Sequence, residues 1–290
     1  MFSFSGNSDS GIRLMATASL PNKGFCFCGS IYIERKSQTC VSLNSNTYNI
    51  MTIFKLYACT NTIELFIEDG YLKYKVNDAN KIGETVIVSK DRLKEGKWYF
   101  IELYHFITKE KDNLKVYVDS NLSCECPFRK YDNKVIYHTN TIGCSIDLYK
   151  DKDCLKDNFH GEMTALCFIE TSYEKHKNLR SFLYSRHMKL ESIIENTDLI
   201  IREKGIYMFI NPRFETPTKV ACVVQKHVER IEIIDQKERL YPGTIVHHNV
   251  SARETFINIG GLKTLIPALQ GFISSDITLL YTLSVNIEIR

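Results

Sequence analysis

The feature that most constrains this chain is a succession of short β-branched and aromatic runs filling roughly its first 170 residues, several of them alternating with period two. Gly24-Phe-Cys-Phe-Cys-Gly-Ser-Ile-Tyr-Ile-Glu34, Met51-Thr-Ile-Phe-Lys-Leu-Tyr57, Ile63-Glu-Leu-Phe-Ile67 and Tyr71-Leu-Lys-Tyr-Lys-Val76 are separated by Gly, Asn and Asp, the residues that turn a chain. Further runs follow at 85–88, 97–104, 114–118 and 160–169. Side chains alternate across a strand, so each run needs a second layer to cover its apolar face. The spacings leave no room for crossover helices, and the pattern predicts two antiparallel sheets packed face to face. Glu68-Asp-Gly-Tyr71 reads as a hairpin turn, with Gly supplying positive φ.

The period then changes. Residues 173–188 carry Leu179, Phe182, Leu183 and Arg186 at helical spacing, with Ser172 as N-cap and Glu174 in the first turn, which predicts one short helix. Strand signals return at 205–210, 219–224 and 231–234, with Pro212 and Pro217 in the turn between the first two, and these predict strands over 205–234 that complete the sandwich. From Pro242 the spacing is helical again: Val246 to Ile259, then Gly260-Gly261, then a second run containing Pro267. The expected organisation is a sandwich over 1–240, its core in 1–172, followed by a helical segment over 241–290. A single helix-turn-helix unit cannot bury its apolar face alone, so the segment reads as the start of a repeat array and the sequence as an excerpt of a longer chain.

Composition serves mainly to exclude. With 44% hydrophobic residues the chain lies outside the disordered regime. Its 37 Lys+Arg against 34 Asp+Glu give a net charge of +3, too little for a general pull toward nucleic acid. No apolar run reaches the roughly 18 residues of a membrane span, and the N-terminus lacks the basic and apolar regions of an export signal. A cytoplasmic address is expected, with the ten cysteines as reduced thiols.

Several constellations invite chemistry, and each has a simpler reading. Glu232, Asp235 and Glu238 look like the acids of a sandwich glycoside hydrolase, but the offset of three puts Glu232 and Asp235 on opposite faces of a regular strand. Cys26 and Cys28 share a strand face with Cα atoms ~6.5 Å apart, wide for one metal, and read as packed thiols. Cys124 and Cys126 sit in or beside a loop that can bend toward zinc, yet four ligands cannot be assembled even with His138 and His160. His105 has no nucleophile elbow beside it and reads as a structural residue. Gly260-Gly261 lacks the Walker spacing of a phosphate loop. Asp151, Asp153 and Asp157 offer carboxylates to a hard cation, but interspersed lysines compete for them and the segment reads as a solvated loop, as do the basic stretches 174–180 and 226–230. No catalytic, cofactor or metal residue emerges, and the chain is read as non-enzymatic.

Phe2-Ser-Phe-Ser-Gly6 through Ser10-Gly-Ile-Arg-Leu14, Lys23-Gly-Phe25, and Gly96-Lys-Trp-Tyr-Phe-Ile-Glu-Leu-Tyr-His105 resemble, in that order, the concanavalin A-like (laminin-G-like) domain of neurobeachin and other BEACH-family proteins. Asn158-Phe-His-Gly-Glu-Met-Thr-Ala-Leu-Cys-Phe-Ile-Glu170 is similar to that domain's closing strand, and residues 256–269 to the opening of the armadillo-like region that follows it. The resemblance implies a concanavalin A-like jelly roll with a short armadillo-like helical segment. It also implies a non-catalytic protein-interaction scaffold in vesicle and membrane trafficking, cytoplasmic or peripherally membrane-associated, with unidentified protein partners. The alternative is a lectin-like carbohydrate-binding module, and glycoside hydrolysis is the remote one. Trp98, the single tryptophan, is expected to be a core anchor rather than a sugar platform.

Overall fold

The computed structural model describes residues 1–14, 18–34, 50–58, 60–78, 81–107, 113–132, 135–147, 154–164, 166–172, 206–210, 221–227, 230–234 and 239–246. The expected helix over 173–188 and residues 247–290 of the expected helical segment lie outside them.

Among the described residues the chain is mainly β, and every strand pairing is antiparallel. The larger sheet runs in spatial order Asn121–Pro127, Asn113–Val118, Lys97–Phe106, Gly24–Ile33, Leu166–Glu170, Ile206–Ile210, Ala221–His227 and Arg230–Ile234. The smaller runs Arg239–Leu240, Ile12–Leu14, Thr139–Ile142, Ile50–Ala58, Asn61–Glu68, Tyr71–Asp78 and Lys81–Ile87. The strand His160–Met163 pairs with both Gly24–Ile33 and Phe2–Ser5, tying the N-terminus into the larger sheet.

Alternation sets the core. Phe25, Phe27, Ile31 and Ile33 on one strand and Tyr99, Ile101 and Leu103 on its neighbour point inward to meet Phe54, Leu56, Leu65, Ile67, Leu72 and Tyr74 of the smaller sheet. Phe27, Phe54 and Phe168 form its aromatic centre, with ring centroids 4.7 to 5.1 Å apart, in the range where tilted and edge-on pairs are favourable.

The sequence expectations for individual strands hold along most of this framework, with three differences. The run expected over 160–169 is broken into His160–Met163 and Leu166–Glu170. Thr164 interrupts it: its N–H donates to the Ser30 carbonyl at 3.0 Å and its hydroxyl accepts the Ser30 N–H at 3.2 Å, and the register against Gly24–Ile33 slips by one residue. Second, pairing continues past residue 240. Thr244–Val246 lies against Phe2–Ser5, so Val246 ends a strand where the spacing suggested the start of a helix. Thr244 fixes this segment by accepting the Gly11 N–H on its hydroxyl at 2.7 Å. Third, Asn121–Pro127 is a strand, not a loop.

The turn at Glu68–Tyr71 forms as the sequence suggested, with positive φ at both Asp69 and Gly70. Gly161 is required for a different reason. At φ +142° a Cβ there would lie 1.9 Å from the Tyr32 carbonyl oxygen, so only glycine lets this strand approach its neighbour.

Candidate functional site

The candidate site is a cleft of about 590 Å³ between the 88–96 loop and the hairpin joining Asn113–Val118 to Asn121–Pro127. The hairpin turn is tight. Asp119 and Ser120 both take positive φ, at 50° and 65°, without glycine. Asp119 is held there because its carboxylate accepts the Phe100 N–H at 2.9 Å and the Lys97 ammonium at 3.2 Å.

The opposite wall is tied down through its backbone. The Leu93 N–H donates to the Gly70 carbonyl at 2.7 Å, and the Lys94 N–H donates to the Tyr99 hydroxyl at 2.6 Å. The Lys90 N–H reaches across to the Ser123 hydroxyl at 2.7 Å, and Ser89 accepts the Leu72 N–H at 2.9 Å. Both cleft serines therefore have hydroxyls engaged by backbone donors.

The cleft is cationic. Lys90, Arg92, Lys94 and Lys97 line it against Asp91 and Asp119. Lys97 is engaged with Asp119 and lies over the Tyr99 ring at 4.7 Å, and Arg92 sits over the Tyr71 ring at 5.3 Å. Lys90, Arg92 and Lys94 have no ion pair among the described residues. Leu122, 51% exposed, adds an apolar contact at the rim. Sequence reading did not single out this cleft: its cations fall in a stretch of ordinary loop composition, and only the fold brings residues 118–123 against them.

Trp98 corrects an expectation. It is 39% exposed, on the outward face of the larger sheet, with its ring stacked obliquely on Tyr32 at 5.5 Å. The strand Lys97–Phe106 is buried on both faces only from Tyr99 onward, because Lys97 and Trp98 lie at its exposed beginning.

Further along that outward face lies a buried polar cluster. Cys26 and Cys28 pair across strands with Tyr104 and Glu102, and Cys28 pairs with Cys167 on its other side. The Tyr104 hydroxyl donates to Glu102 Oε2 at 2.9 Å. Burial pushes the Cys26 and Cys167 thiols and the Tyr104 phenol upward. Cys28 is instead held low by the neighbouring Cys167 thiol and then by Cys26.

His105 lies on the inward face. Its Nδ1 is 2.9 Å from the Tyr74 hydroxyl, and the rings of Phe25, Tyr74, Phe128 and Tyr131 enclose it at 4.9 to 6.0 Å. Burial, opposed by a backbone hydrogen bond to Arg129, lowers its pKa to about 3, so the imidazole is neutral and structural at ordinary pH.

The remaining sequence candidates are dispersed. Cys124 and Cys126 lie on the edge of the larger sheet, and His160 pairs with Glu34 at 3.3 Å. Asp157 accepts the Ser145 hydroxyl at 2.9 Å. Asp151, Asp153, Asp235, Glu238, Gly260 and Gly261 lie outside the described residues, while Glu232 pairs with Gln225 in the larger sheet. Among the described residues no group of three or more His, Cys, Asp or Glu is placed to hold a metal ion. No described helix is long and apolar enough to cross a membrane.

No family model and no curated protein matches the chain. Solved structures do. Domains LG4-5 of the mouse laminin alpha1 chain align at 14% identity and a TM-score of 0.43, covering 58% of this chain and 41% of theirs. A native heptameric SAP-like pentraxin from Limulus polyphemus aligns at 16% identity and a TM-score of 0.41, covering 61% and 78%. The botulinum neurotoxin serotype G binding domain aligns at 11% identity and a TM-score of 0.42, covering 63% and 42%. The chain thus spans less than half of the laminin and toxin structures.

Proposed function

We propose that this chain is a non-catalytic binding module whose cleft takes an acidic segment of a partner protein. The observation that carries this reading is the set of three cations, Lys90, Arg92 and Lys94, without ion pairs among the described residues, on a cleft of about 590 Å³. Its volume is within the range of ligand sites, its wall mixes apolar surface with these cations, and complementary charge then governs encounter and choice of partner. Exposed Leu122 offers an apolar anchor beside that charge. The cleft's serines and Asp119 are engaged by backbone donors and Lys97, which suits binding rather than nucleophilic or acid–base chemistry.

The finer reading is a cytoplasmic, peripherally membrane-associated scaffold module in vesicle trafficking, with the expected armadillo-like segment following it. The ordered motifs shared with the neurobeachin domain support that reading. Carbohydrate binding is the second reading, and the exposed Trp98 stacked on Tyr32 is the observation in its favour.

Titration of a fluorescent Glu/Asp-rich peptide separates the two. The acidic-segment reading predicts saturable binding that weakens with salt and falls by about tenfold or more in an Arg92→Glu/Lys94→Glu variant of unchanged thermal stability. Equal binding by that variant, or binding only of neutral oligosaccharides at Trp98, contradicts it.

A further inference from the structure

We propose that Cys124 and Cys126 form a reversible dithiol–disulfide site at the edge of the larger sheet, independent of what the cleft binds. The two residues share the inward face of Asn121–Pro127, the outermost strand of that sheet among the described residues, opposite Val116 and Leu114. Their sulfurs are 3.7 Å apart, and both side chains are only partly buried, so a small oxidant reaches them. Cys26, Cys28 and Cys167, by contrast, are buried.

The pair also has freedom to close. Two residues apart on a strand, Cα atoms are ~6.5 Å from each other, at the upper end of the span a disulfide bridges. A register shift opposite Val116 and Tyr117 leaves Ser123 as an extra residue immediately before Cys124. Such a bulge bends its strand locally, and at a sheet edge the bend disturbs one neighbouring strand instead of two.

The hydrogen-bond direction orders the steps. The Cys124 thiol donates toward Cys126, and burial, followed by the neighbouring Cys126, pushes Cys124 up to about 12. Cys126, the sulfur that accepts this hydrogen bond, is the attacking one. With hydrogen peroxide as oxidant, the Cys126 thiolate attacks one oxygen, the O–O bond breaks, and hydroxide leaves to be protonated to water. Cys126 is now a sulfenic acid. Cys124 attacks the sulfenic sulfur, its proton and the hydroxyl leave as water, and the S–S bond forms. Two thiols and one peroxide give one disulfide and two waters. A small-molecule dithiol reverses the reaction by exchange.

Tryptic digestion gives a direct readout, because peptide 116–129 contains Cys124 and Cys126 as its only cysteines. After brief treatment of the full chain with hydrogen peroxide and alkylation of the remaining thiols, that peptide is expected unalkylated, lighter than its dithiol form by two hydrogens, and restored by dithiothreitol. In Cys124→Ser the loss disappears and dimedone traps a sulfenic acid on Cys126. Phenylarsine oxide, which bridges two nearby thiols, is expected to add once to this peptide in the wild type and not in Cys124→Ser. A wild-type peptide that stays reduced, goes directly to sulfinic acid, or cross-links to another cysteine overturns the proposal, as does failure of the arsenical to bind.

Discussion

The Tyr74 hydroxyl lies 2.9 Å from His105 Nδ1 and joins the two sheets by a hydrogen bond inside a chamber of aromatic rings. Tyr74 comes from the smaller sheet and His105 from the larger. Burial holds the phenol protonated and the imidazole neutral, so the bond joins two uncharged groups.

This pair makes stability depend on pH in a defined direction. The folded-state pKa of His105 is lowered from 6.5 to about 3, so between those values the unfolded chain binds a proton that the folded chain does not. The contribution is fully present above 6.5 and is lost as pH falls toward about 3, at up to ~1.4 kcal/mol per pH unit. Urea unfolding of the wild type and His105→Gln between about pH 6.5 and 5, above the range where most carboxylates titrate, is expected to show a steeper loss in the wild type. Parallel profiles contradict this assignment.

Phe168 is the second point at which the sheets depend on one another, since it contacts Phe27 in its own sheet and Phe54 across the core. Phe168→Ala is expected to cost about 3–5 kcal/mol in equilibrium unfolding, through lost transfer energy and the cavity left behind. A cost below ~1 kcal/mol would show that the sheets do not pack through this ring.

Trp98 offers a spectroscopic check on its corrected position. As the only tryptophan, and 39% exposed, it is expected to be quenched strongly by iodide in the native state. Protection from iodide until unfolding would restore the core-anchor reading.

The inner faces of the sheets were legible where period-two alternation reports burial directly, as in Tyr71–Asp78, whose side chains alternate half-buried and buried over 71–77. The break at Thr164 was not, because it depends on a hydrogen bond to Ser30, 134 residues away in sequence. Phe2–Ser5 and Ile12–Leu14 are too short to show a period, and their pairing with His160–Met163 and Thr139–Ile142 is likewise long-range. Trp98 was misplaced because alternation assigns a face but not the point along a strand where its cover begins. The cleft was invisible for a related reason. Asp119, Ser123 and Lys94 meet through turn geometry and backbone hydrogen bonds, and neither has a periodic signature.

The cationic cleft is the proposed binding surface. Backbone NMR of the isotopically labelled chain, titrated with a Glu/Asp-rich peptide, tests it residue by residue. The amides of Lys90, Arg92, Lys94 and Asn121–Ser123 are expected to shift together and saturably, with the shifts lost in Arg92→Glu/Lys94→Glu. Shifts centred on Trp98 and Tyr32, or none at the cleft under saturating peptide, would contradict the account.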